Sequence, residues 1–360
     1  MTTKQRFQAL DVMRGLTLAL MILVNTPGSW SYVYSPLLHA DWHGATPTDY
    51  IFPFFLFMVG AAMVFSQRAL SALDFPAQAS KIFRRTLVIF LIGLLLNYFP
   101  FTQDLETLRF LGVLQRIALA YCLAAWIVLY ANTLWRYLIA AVLLLGYWAL
   151  LQLSADPYSL EHSVVRHFDL LVLGEDHLWR GKGIAFDPEG LLSTFPSVVN
   201  VLIGYEVTRH LVLASDKNRA QWQLLAAGAM LTLAGWLWHP WFPINKSLWT
   251  SSFVLLTSGV GVLVLMVLVR LEKFSWMQGI YKAFTMLGQN PLFIYALSIL
   301  WAKTLWLIPV GDVSAYQWLF DQMQKVADPY AASLICALIP VAVLWGVAWY
   351  LHRRKIIIAI

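Results

Sequence analysis

The sequence has little charge and almost no cysteine for its length. Only 12% of its 360 residues are charged and 60% are hydrophobic, whereas about 25% of the residues of a soluble domain are charged. The two cysteines, Cys122 and Cys336, each lie in an apolar run, which excludes a disulfide framework and a CxxC metal site. Internal repeats and low-complexity tracts are also lacking. The composition therefore indicates an integral membrane protein.

Long apolar runs are abundant and define the predicted fold. A bilayer core of roughly 30 Å needs about 20 mostly apolar residues per helix, and ten segments approach that length. The sequence predicts an all-α, polytopic transmembrane helix bundle that forms a single domain over residues 1–360. No small-residue cleavage site follows the first run, so we expect that run to be retained. The segments are centred on 14–32, 50–69, 86–101, 111–131, 136–153, 191–211, 222–239, 249–269, 284–307 and 332–351.

The basic residues predict which side of the membrane holds the termini. With ten helices both termini lie on one side, and that side receives 17 of the 25 Lys and Arg residues, Lys4 and Arg6 among them. The positive-inside rule therefore predicts cytoplasmic termini. Basic loops that face anionic membrane lipid account for the net charge of +6, so we expect no nucleic-acid partner.

The opposite, outer face carries the chemistry-bearing side chains. Six of the eight histidines fall there, and residues 154–190 form a connection of nearly forty residues. Ordinary connections need only a few residues, so we expect this long outer loop to fold over the bundle as a small cap. Chemistry is therefore expected on the outer face.

Four titratable residues, His39, Asp41, His43 and Asp49, lie directly before the second apolar run. A histidine suits proton transfer because its ordinary pKa is about 6.5, but an interfacial loop histidine is an alternative. The first three residues could in principle bind zinc; no third histidine lies at a recognisable interval, so we expect no metal. Thr48 or Asp49 could be the N-cap of the second helix, and Asp49 could also orient His39.

Five ordered blocks resemble one known family. They are LDVMRGLTLALMILVN (10–25), HADWHGATPTDYIFPFFLFMVGAAM (39–63), LGVLQRIALAY (111–121), FDPEGLLSTFPSVVNVLIGYE (186–206) and FPINKSLWTSSFVLL (242–256). Together they resemble the heparan-alpha-glucosaminide N-acetyltransferase family. The resemblance implies a transmembrane acetyltransferase that moves acetyl from cytosolic acetyl-CoA to an amino sugar, such as a glucosamine-type saccharide, on the far side. We expect a member of the bacterial inner membrane, with its acceptor at the periplasmic face.

The same resemblance implies roles for residues of the outer half. In the family the histidine of the HA-x-W block is catalytic, and it matches His39, as a general base or as a transient acetyl carrier. Asn25 either bonds another helix or donates to the acetyl carbonyl, and the resemblance favours the donor role.

Acetyl-CoA would require basic and polar groups nearer the cytoplasm. Arg14 could receive phosphates together with Arg84 and Arg85, although Asp11 and Arg14 are also spaced for an i, i+3 ion pair. Gln115 and Arg116 lie within an apolar segment, where an arginine must face a partner or a polar cavity. They would border the acetyl-CoA tunnel or pair with a buried acid.

The outer loops offer candidates for binding the acceptor. They are Asp187 and Glu189 of FDPEG, and Asn245, Lys246 and Trp249 of PINKSLW, although turn formation and interfacial anchoring are alternatives. Asn290 precedes Pro291 within a predicted helix, which indicates a helix broken near a site or a packed kink.

A second interpretation, from another functional class, is a secondary transporter of a small sugar or muropeptide. Interrupted helices and intramembrane charges are transporter features as well. Polar groups crowd one face rather than the midplane, and no inverted repeat is evident, so the acetyltransferase interpretation is preferred. The features are compatible with a homo-oligomer but do not specify one.

Overall fold

A computed structural model describes residues 7–358, and Lys4 and Arg6 lie outside that range. The regular secondary structure of the described residues is helical apart from one antiparallel pair of two-residue strands, which confirms the all-α prediction. The elements are α1 Gln8–Asn25, α2 Ile51–Ser71, α3 Phe75–Tyr98, α4 Val113–Tyr130, α5 Thr133–Leu151, α6 Val164–Leu173, α7 Thr194–Leu213, α8 Lys217–Trp238, α9 Ser251–Leu271, α10 Gln278–Gly288, α11 Pro291–Leu307, β1 Pro309–Val310, β2 Val313–Ser314, α12 Ala315–Gln324 and α13 Pro329–Arg353.

Several of these helices are long and apolar enough to cross a membrane. Six meet both criteria among the described residues: α1, α2 with the turn before it, α4, α5, α9 and α13. The helices α10 and α11, bent by 75° at their junction, meet them as a pair and bring the number to seven. The chain is therefore a polytopic membrane protein by the length and composition of its helices.

Some helix limits differ from the predicted segments for identifiable reasons. The first helix begins at Gln8 and ends at Asn25 rather than spanning 14–32, because Pro27 disfavours a helical conformation for the residue before it. The third begins at Phe75, well before 86, because Asp74 caps it by accepting a hydrogen bond from Ala77 N (3.2 Å).

The described chain divides into two compact units. The first contains residues 7–39, 46–51 and 264–358, and the second contains 40–45 and 52–263. In the first unit α1 packs against α10, α11 and α13. A Cβ at Gly15 would collide with the carbonyl oxygen of Phe284, so this glycine permits the close approach of α1 and α10.

In the second unit α7 packs against α4, α5 and α8, and α3 packs against α4. A Cβ at Gly204 would collide with the backbone of Phe57, and one at Gly60 with the carbonyl oxygen of Val201. Helices α2 and α7 therefore approach each other through reciprocal glycines. Residues 154–190 contain α6 and pack on the C-terminal end of α5 through a core that includes Val165, Phe186 and Phe242.

Replacing Gly204 with alanine tests the contact between α2 and α7. We expect Gly204→Ala to lower the melting temperature in detergent, because overpacking costs about 1–3 kcal/mol. Gly146→Ala is the matched control, since no heavy atom lies within 4 Å of a Cβ at that helical glycine. Equal melting temperatures for the two variants would contradict the close helix contact.

Candidate functional site

The connection between α1 and α2 holds a paired histidine and aspartate in the first unit. His39 Nδ1 lies 2.6 Å from Asp49 Oδ1. The Asp49 side chain is 1% exposed and the His39 side chain is 48% exposed. The structure thus brings together two of the predicted catalytic residues, one buried and one open to solvent.

A turn before α2 fixes the position of the Asp49 carboxylate. Residues Pro47–Tyr50 form a 3-10 helix whose N-cap is Thr46, so the alternative that Thr48 or Asp49 is the N-cap is wrong. Asp49 is the third residue of the turn, and its Oδ2 accepts a hydrogen bond from Thr46 N (2.9 Å), one half of a capping box. Thr46 Oγ1 donates to Leu38 O (2.6 Å), next to His39.

This geometry selects one form of the neutral imidazole. An ionised carboxylate only accepts hydrogen bonds, so the bond to Asp49 is made by a proton on His39 Nδ1. The other ring nitrogen, Nε2, then carries the lone pair and can accept a proton. Asp49 would stabilise the resulting imidazolium, as an acid does in a hydrolase triad.

The other predicted residues of the first unit lie on α1 and between α10 and α11. Asn25 is exposed at the last position of α1. Arg14 Nη1 donates to Asp11 Oδ1 (3.0 Å) and to Gly288 O (3.2 Å), so the i, i+3 ion pair is present. Asn290 is buried between α10 and α11, where it donates to Ile356 O and accepts from Ile358 N. The helix is interrupted at Asn290, as both of its predicted alternatives require.

A buried arginine forms the centre of the second unit. Arg116 is 1% exposed on α4, and its Nη2 donates to Gly190 O (3.1 Å) and to Ser193 Oγ. Its guanidinium carbon lies 4.9 Å from the ring centroid of Trp249. The Trp249 indole donates to Asn200 Oδ1 (3.0 Å). We call these four side chains, Arg116, Ser193, Asn200 and Trp249, the arginine cluster.

Three buried side-chain N–H donors on α4 have no protein partner among the described residues. They are Nε and Nη1 of Arg116 and Nε2 of the neighbouring Gln115. Buried donors in proteins are almost always hydrogen-bonded, and each unsatisfied donor costs about 1–3 kcal/mol. These atoms can therefore donate to a bound molecule that carries carbonyl or other acceptor oxygens.

The predicted phosphate ligands on α3 differ in their surroundings. Arg84 is exposed, whereas Arg85 is half-buried with its guanidinium 4.7 Å from the Tyr121 ring centroid. Arg85 Nε is buried and has no protein partner. Both residues lie in the N-terminal half of α3, away from Asn97 and the loop that follows that helix.

Asp187 and Glu189 are held by an arginine that sequence reasoning did not identify. Arg109 donates from Nε and Nη2 to the two oxygens of Asp187 (2.8 and 2.7 Å), and from Nη2 to Glu189 Oε2 (2.7 Å). Burial lowers the pKa of Arg109, but the hydrogen bonds and charges of the two acids outweigh it and raise the pKa above its ordinary value. Arg109 therefore stays charged and fixes the FDPEG turn.

The PINKSLW segment is also largely turned inward. Trp249 is 1% exposed and has a φ of 51°, so it is not an interfacial anchor. Buried Asn245 accepts from Leu248 N (2.8 Å), and its amide nitrogen lies 3.4 Å from His43 Nδ1. Burial, and then nearby His239, lower the pKa of His43, so a neutral His43 accepts this bond. Lys246 is half-buried.

Asp169, on α6, is a second functional candidate that sequence reasoning missed. Its Oδ1 accepts from Leu191 N (3.0 Å), and its Oδ2 is buried without a protein partner. Burial raises the pKa of Asp169 to about 7; the Asp187 charge adds to this, while the Leu191 hydrogen bond and Arg116 oppose it. This carboxylate can therefore exchange a proton near neutral pH.

No group of three or more His, Cys, Asp and Glu side chains between residues 7 and 358 could hold a metal ion. The zinc alternative for His39, Asp41 and His43 thus has no structural support.

Comparison with known proteins identifies the family. The profile of the heparan-alpha-glucosaminide N-acetyltransferase catalytic region matches residues 6–239. The chain belongs to this family. Human heparan-alpha-glucosaminide N-acetyltransferase is 23% identical over 418 aligned residues, which cover 98% of this chain and 59% of the human protein. The mouse protein is 24% identical over 330 residues, which cover 74% of this chain and 49% of its own length. The chain thus spans about half to three-fifths of the length of these relatives.

The residues of this family member that sequence reasoning missed gave weak signals. Arg109 is the one basic residue of TQDLETLRFLG (102–112), a loop that also holds two acids. A single cation in such a loop indicates an ion pair but does not identify the acid. Ser193 and Asn200 lie at a spacing of seven, about two helical turns, after FDPEG. Asp169 had no signal, because only the packing of α6 against Gly190 buries it.

The raised pKa of Asp169 predicts a pH-dependent stability. The native state holds this proton more tightly than the unfolded chain, whose ordinary value is 3.8. The free energy of unfolding should therefore fall as pH rises from about 4 to about 7, by at most about 1.4 kcal/mol per pH unit, and then level off.

Melting temperatures measured from pH 5 to pH 8 would check this. Asp169→Asn keeps the acceptor for Leu191 N and should flatten the curve. Asp156→Asn, at an exposed carboxylate of the same segment, should leave the curve unchanged. Parallel curves for wild type and Asp169→Asn would contradict the assignment.

Proposed function

We propose that this protein is a membrane acetyltransferase that transfers acetyl from acetyl-CoA to an amino sugar, with His39 as proton acceptor. The hydrogen bond from His39 to buried Asp49 carries the proposal. It supports a role in proton transfer because the histidine is both oriented and accessible. Both residues lie within the region that matches the family, and the names of the human and mouse relatives state an N-acetyltransferase activity. The match does not favour the transporter alternative.

The proposed step uses each group in a defined way. The acceptor nitrogen attacks the thioester carbonyl carbon while His39 Nε2 takes a proton from that nitrogen. The C–S bond then breaks, and the imidazolium returns the proton to the CoA sulfur. Asp49 is a positioning residue, because it holds the tautomer and stabilises the imidazolium. If His39 instead carries the acetyl group, its Nε2 attacks the thioester carbonyl carbon first, and the C–S bond breaks to release CoA as the thiolate. The acceptor nitrogen then attacks the acetyl carbon, the bond from that carbon to Nε2 breaks, and the acceptor's proton passes to the thiolate or to solvent.

For acetyl-CoA the proposed ligands are residues that the sequence suggested for it. The partnerless donors of Gln115 and Arg116 suit the carbonyl oxygens of an acyl-pantetheine chain. Arg84 and Arg85 suit its phosphates, because arginine binds phosphate oxygens through paired N–H groups. Arg14 is a weaker candidate, since the Asp11 carboxylate already offsets its charge. Asn25, exposed at the end of α1, would donate to the acetyl carbonyl.

For the amino sugar we propose the outer loops of the second unit. An open cavity of about 570 Å³ there is lined by Trp42, Tyr158, Asp41, Asp156 and Lys182, among others. It combines aromatic faces with polar groups, and it begins two residues after His39 in the chain. Of the residues that the sequence suggested for this role, Lys246 stays a ligand candidate. Buried Asp187, Asn245 and Trp249, with half-buried Glu189, would shape the loops instead. Asn290, which bonds Ile356 and Ile358 in the first unit, would hold the junction of α10 and α11.

We further propose ten membrane spans, with cytoplasmic termini and the outer loops in the bacterial periplasm. A helix overlaps each of the ten apolar segments. Three of them, α3, α7 and α8, are less apolar, but they have 24, 20 and 22 residues, and about 20 residues suffice to span. In α7 the polar side chains Ser197, Asn200 and Thr208 are buried within the protein, which is where a spanning helix must keep such groups.

Replacing His39 tests the proposed function directly. Purified protein with labelled acetyl-CoA and glucosamine should form labelled product, and His39→Ala should slow this roughly 100-fold or more. His162→Ala is a matched control, because His162 is an exposed outer histidine whose backbone alone makes hydrogen bonds. Wild-type rates in His39→Ala with the melting temperature unchanged would eliminate His39 as the base.

A companion variant separates positioning from capping. Asp49→Asn keeps an oxygen for Thr46 N but removes the charge next to His39. We expect slower transfer and a shifted pH–rate profile at an unchanged melting temperature. Label that remains on wild-type protein without acceptor, and is absent from His39→Ala, would identify the acetyl carrier route.

The membrane arrangement predicts which compartment supplies each substrate. In sealed vesicles of defined orientation, acetyl-CoA on the side of the termini should acetylate sugar present only on the other side. A single cysteine placed at exposed Ser35 should react with an impermeant thiol reagent added outside, whereas one placed at exposed Ser215 should be protected until the membrane is broken. Ser163 is 0% exposed and is therefore unsuitable as an outer probe. Transfer that needs both substrates on one side would refute the through-membrane route.

A further inference from the structure

A groove of about 900 Å³ runs along α7 between α5 and α8 in the second unit. Val199, Leu202 and Ile203 of α7 contribute to its floor, and Ala140 and Ala141 of α5 line one wall. Small side chains on that wall leave space that larger residues would fill. The groove therefore depends on the small size of these residues as well as on the directions of the helices.

The opposite wall belongs to α8, which is held away from α5. Ala227 and Ala234 line the groove, whereas Gly228 and Gly235 of the same helix lie in close contact with α9. Helix α5 packs on α7. Because α8 is drawn towards α9 and α5 towards α7, a gap remains between α5 and α8.

All the charged side chains of the groove lie at one end. Buried Arg136 donates to Glu206, to Ala131 O (2.6 Å) and to Thr133 Oγ1 (3.1 Å). Arg209 donates to the same Glu206 (3.2 Å), and 34% of its side chain is exposed. One carboxylate thus faces two guanidinium groups, which leaves a surplus positive charge at the Arg209 end, where His210 also lines the groove.

This polar end lies at a helix boundary that has the features of a membrane surface. It is formed by the N-terminus of α5, the C-terminus of α7 and the N-terminus of α8. Trp135 and Tyr137 are exposed at that level of α5, and such aromatic residues are typical of the membrane–water interface. The lining of α5 runs from Thr133 to Leu144, about 16 Å at 1.5 Å per residue. That length matches one leaflet of a bilayer core of roughly 30 Å.

We propose that the groove binds an anionic phospholipid, with one acyl chain along α7 and the headgroup phosphate against Arg209 and His210. An apolar groove of leaflet length that opens towards lipid gains dispersion contacts when a hydrocarbon chain fills it. The surplus charge at its mouth favours a phosphate in a headgroup of net negative charge. This site rests on the proposed membrane arrangement of α5, α7 and α8, but not on the proposed acetyltransferase activity.

Native mass spectrometry of the whole protein tests the proposal. Protein from nanodiscs with equal phosphatidylglycerol and phosphatidylcholine should retain phosphatidylglycerol preferentially, and added inorganic phosphate should not displace it. Arg209→Gln should reduce that preference about fivefold. Arg219→Gln, an exposed cation on the first turn of α8 that does not line the groove, should leave the preference unchanged.

Two substitutions should occlude the groove itself. Ala141→Phe fills it from α5 and Ala227→Phe from α8, and each should abolish retention of both lipids. Val142→Phe, at the exposed neighbouring position outside the lining, is the matched control. Melting temperatures would show which variants fold. Wild-type retention in a folded occluding variant, equal effects of Arg209→Gln and Arg219→Gln, or displacement by inorganic phosphate would overturn the proposal.

Discussion

An arginine that is buried in a membrane protein must find its hydrogen-bond acceptors within the protein. The contacts of three arginines in the second unit follow from this requirement. Arg109 is met by two carboxylates, and Arg136 by Glu206 and backbone oxygen. Arg116 is met only in part, by Gly190, Ser193 and the face of Trp249. The ion pairs of Arg109 and Arg136 hold loops and helix ends together. Arg116 keeps N–H donors that can bind another molecule.

In the first unit a buried carboxylate pairs with a histidine that faces solvent. The turn before α2 buries Asp49 and gives its two oxygens different tasks, one towards the Thr46 backbone and one towards His39. Capping and orientation are therefore compatible roles of one carboxylate, so these two interpretations of Asp49 do not compete. The buried partner restricts the His39 ring, while the exposed half of its side chain remains accessible.

Individual residues differ in how far the sequence could predict them. Asn290 beside Pro291 marked the break between α10 and α11, because proline removes a backbone donor and disfavours helix before it. Trp249 could not be assigned in the same way. The segment PINKSLW is compatible with Trp249 as an aromatic anchor at the membrane interface or with its ring packed against a buried arginine. Only a contact with α4, more than a hundred residues earlier, distinguishes these.

Composition and the local order of residues were sufficient to predict a helical membrane protein, its apolar segments and its family. They also predicted the proximity of His39 to Asp49, which are ten residues apart. The partner of each buried polar group depended on the tertiary structure. Arg109 meets Asp187 across 78 positions, and Asp169 reaches Leu191 across a folded segment. Such pairings arise because desolvated charges need partners wherever the packed helices bring them together, and that requirement leaves no periodic signal along the chain.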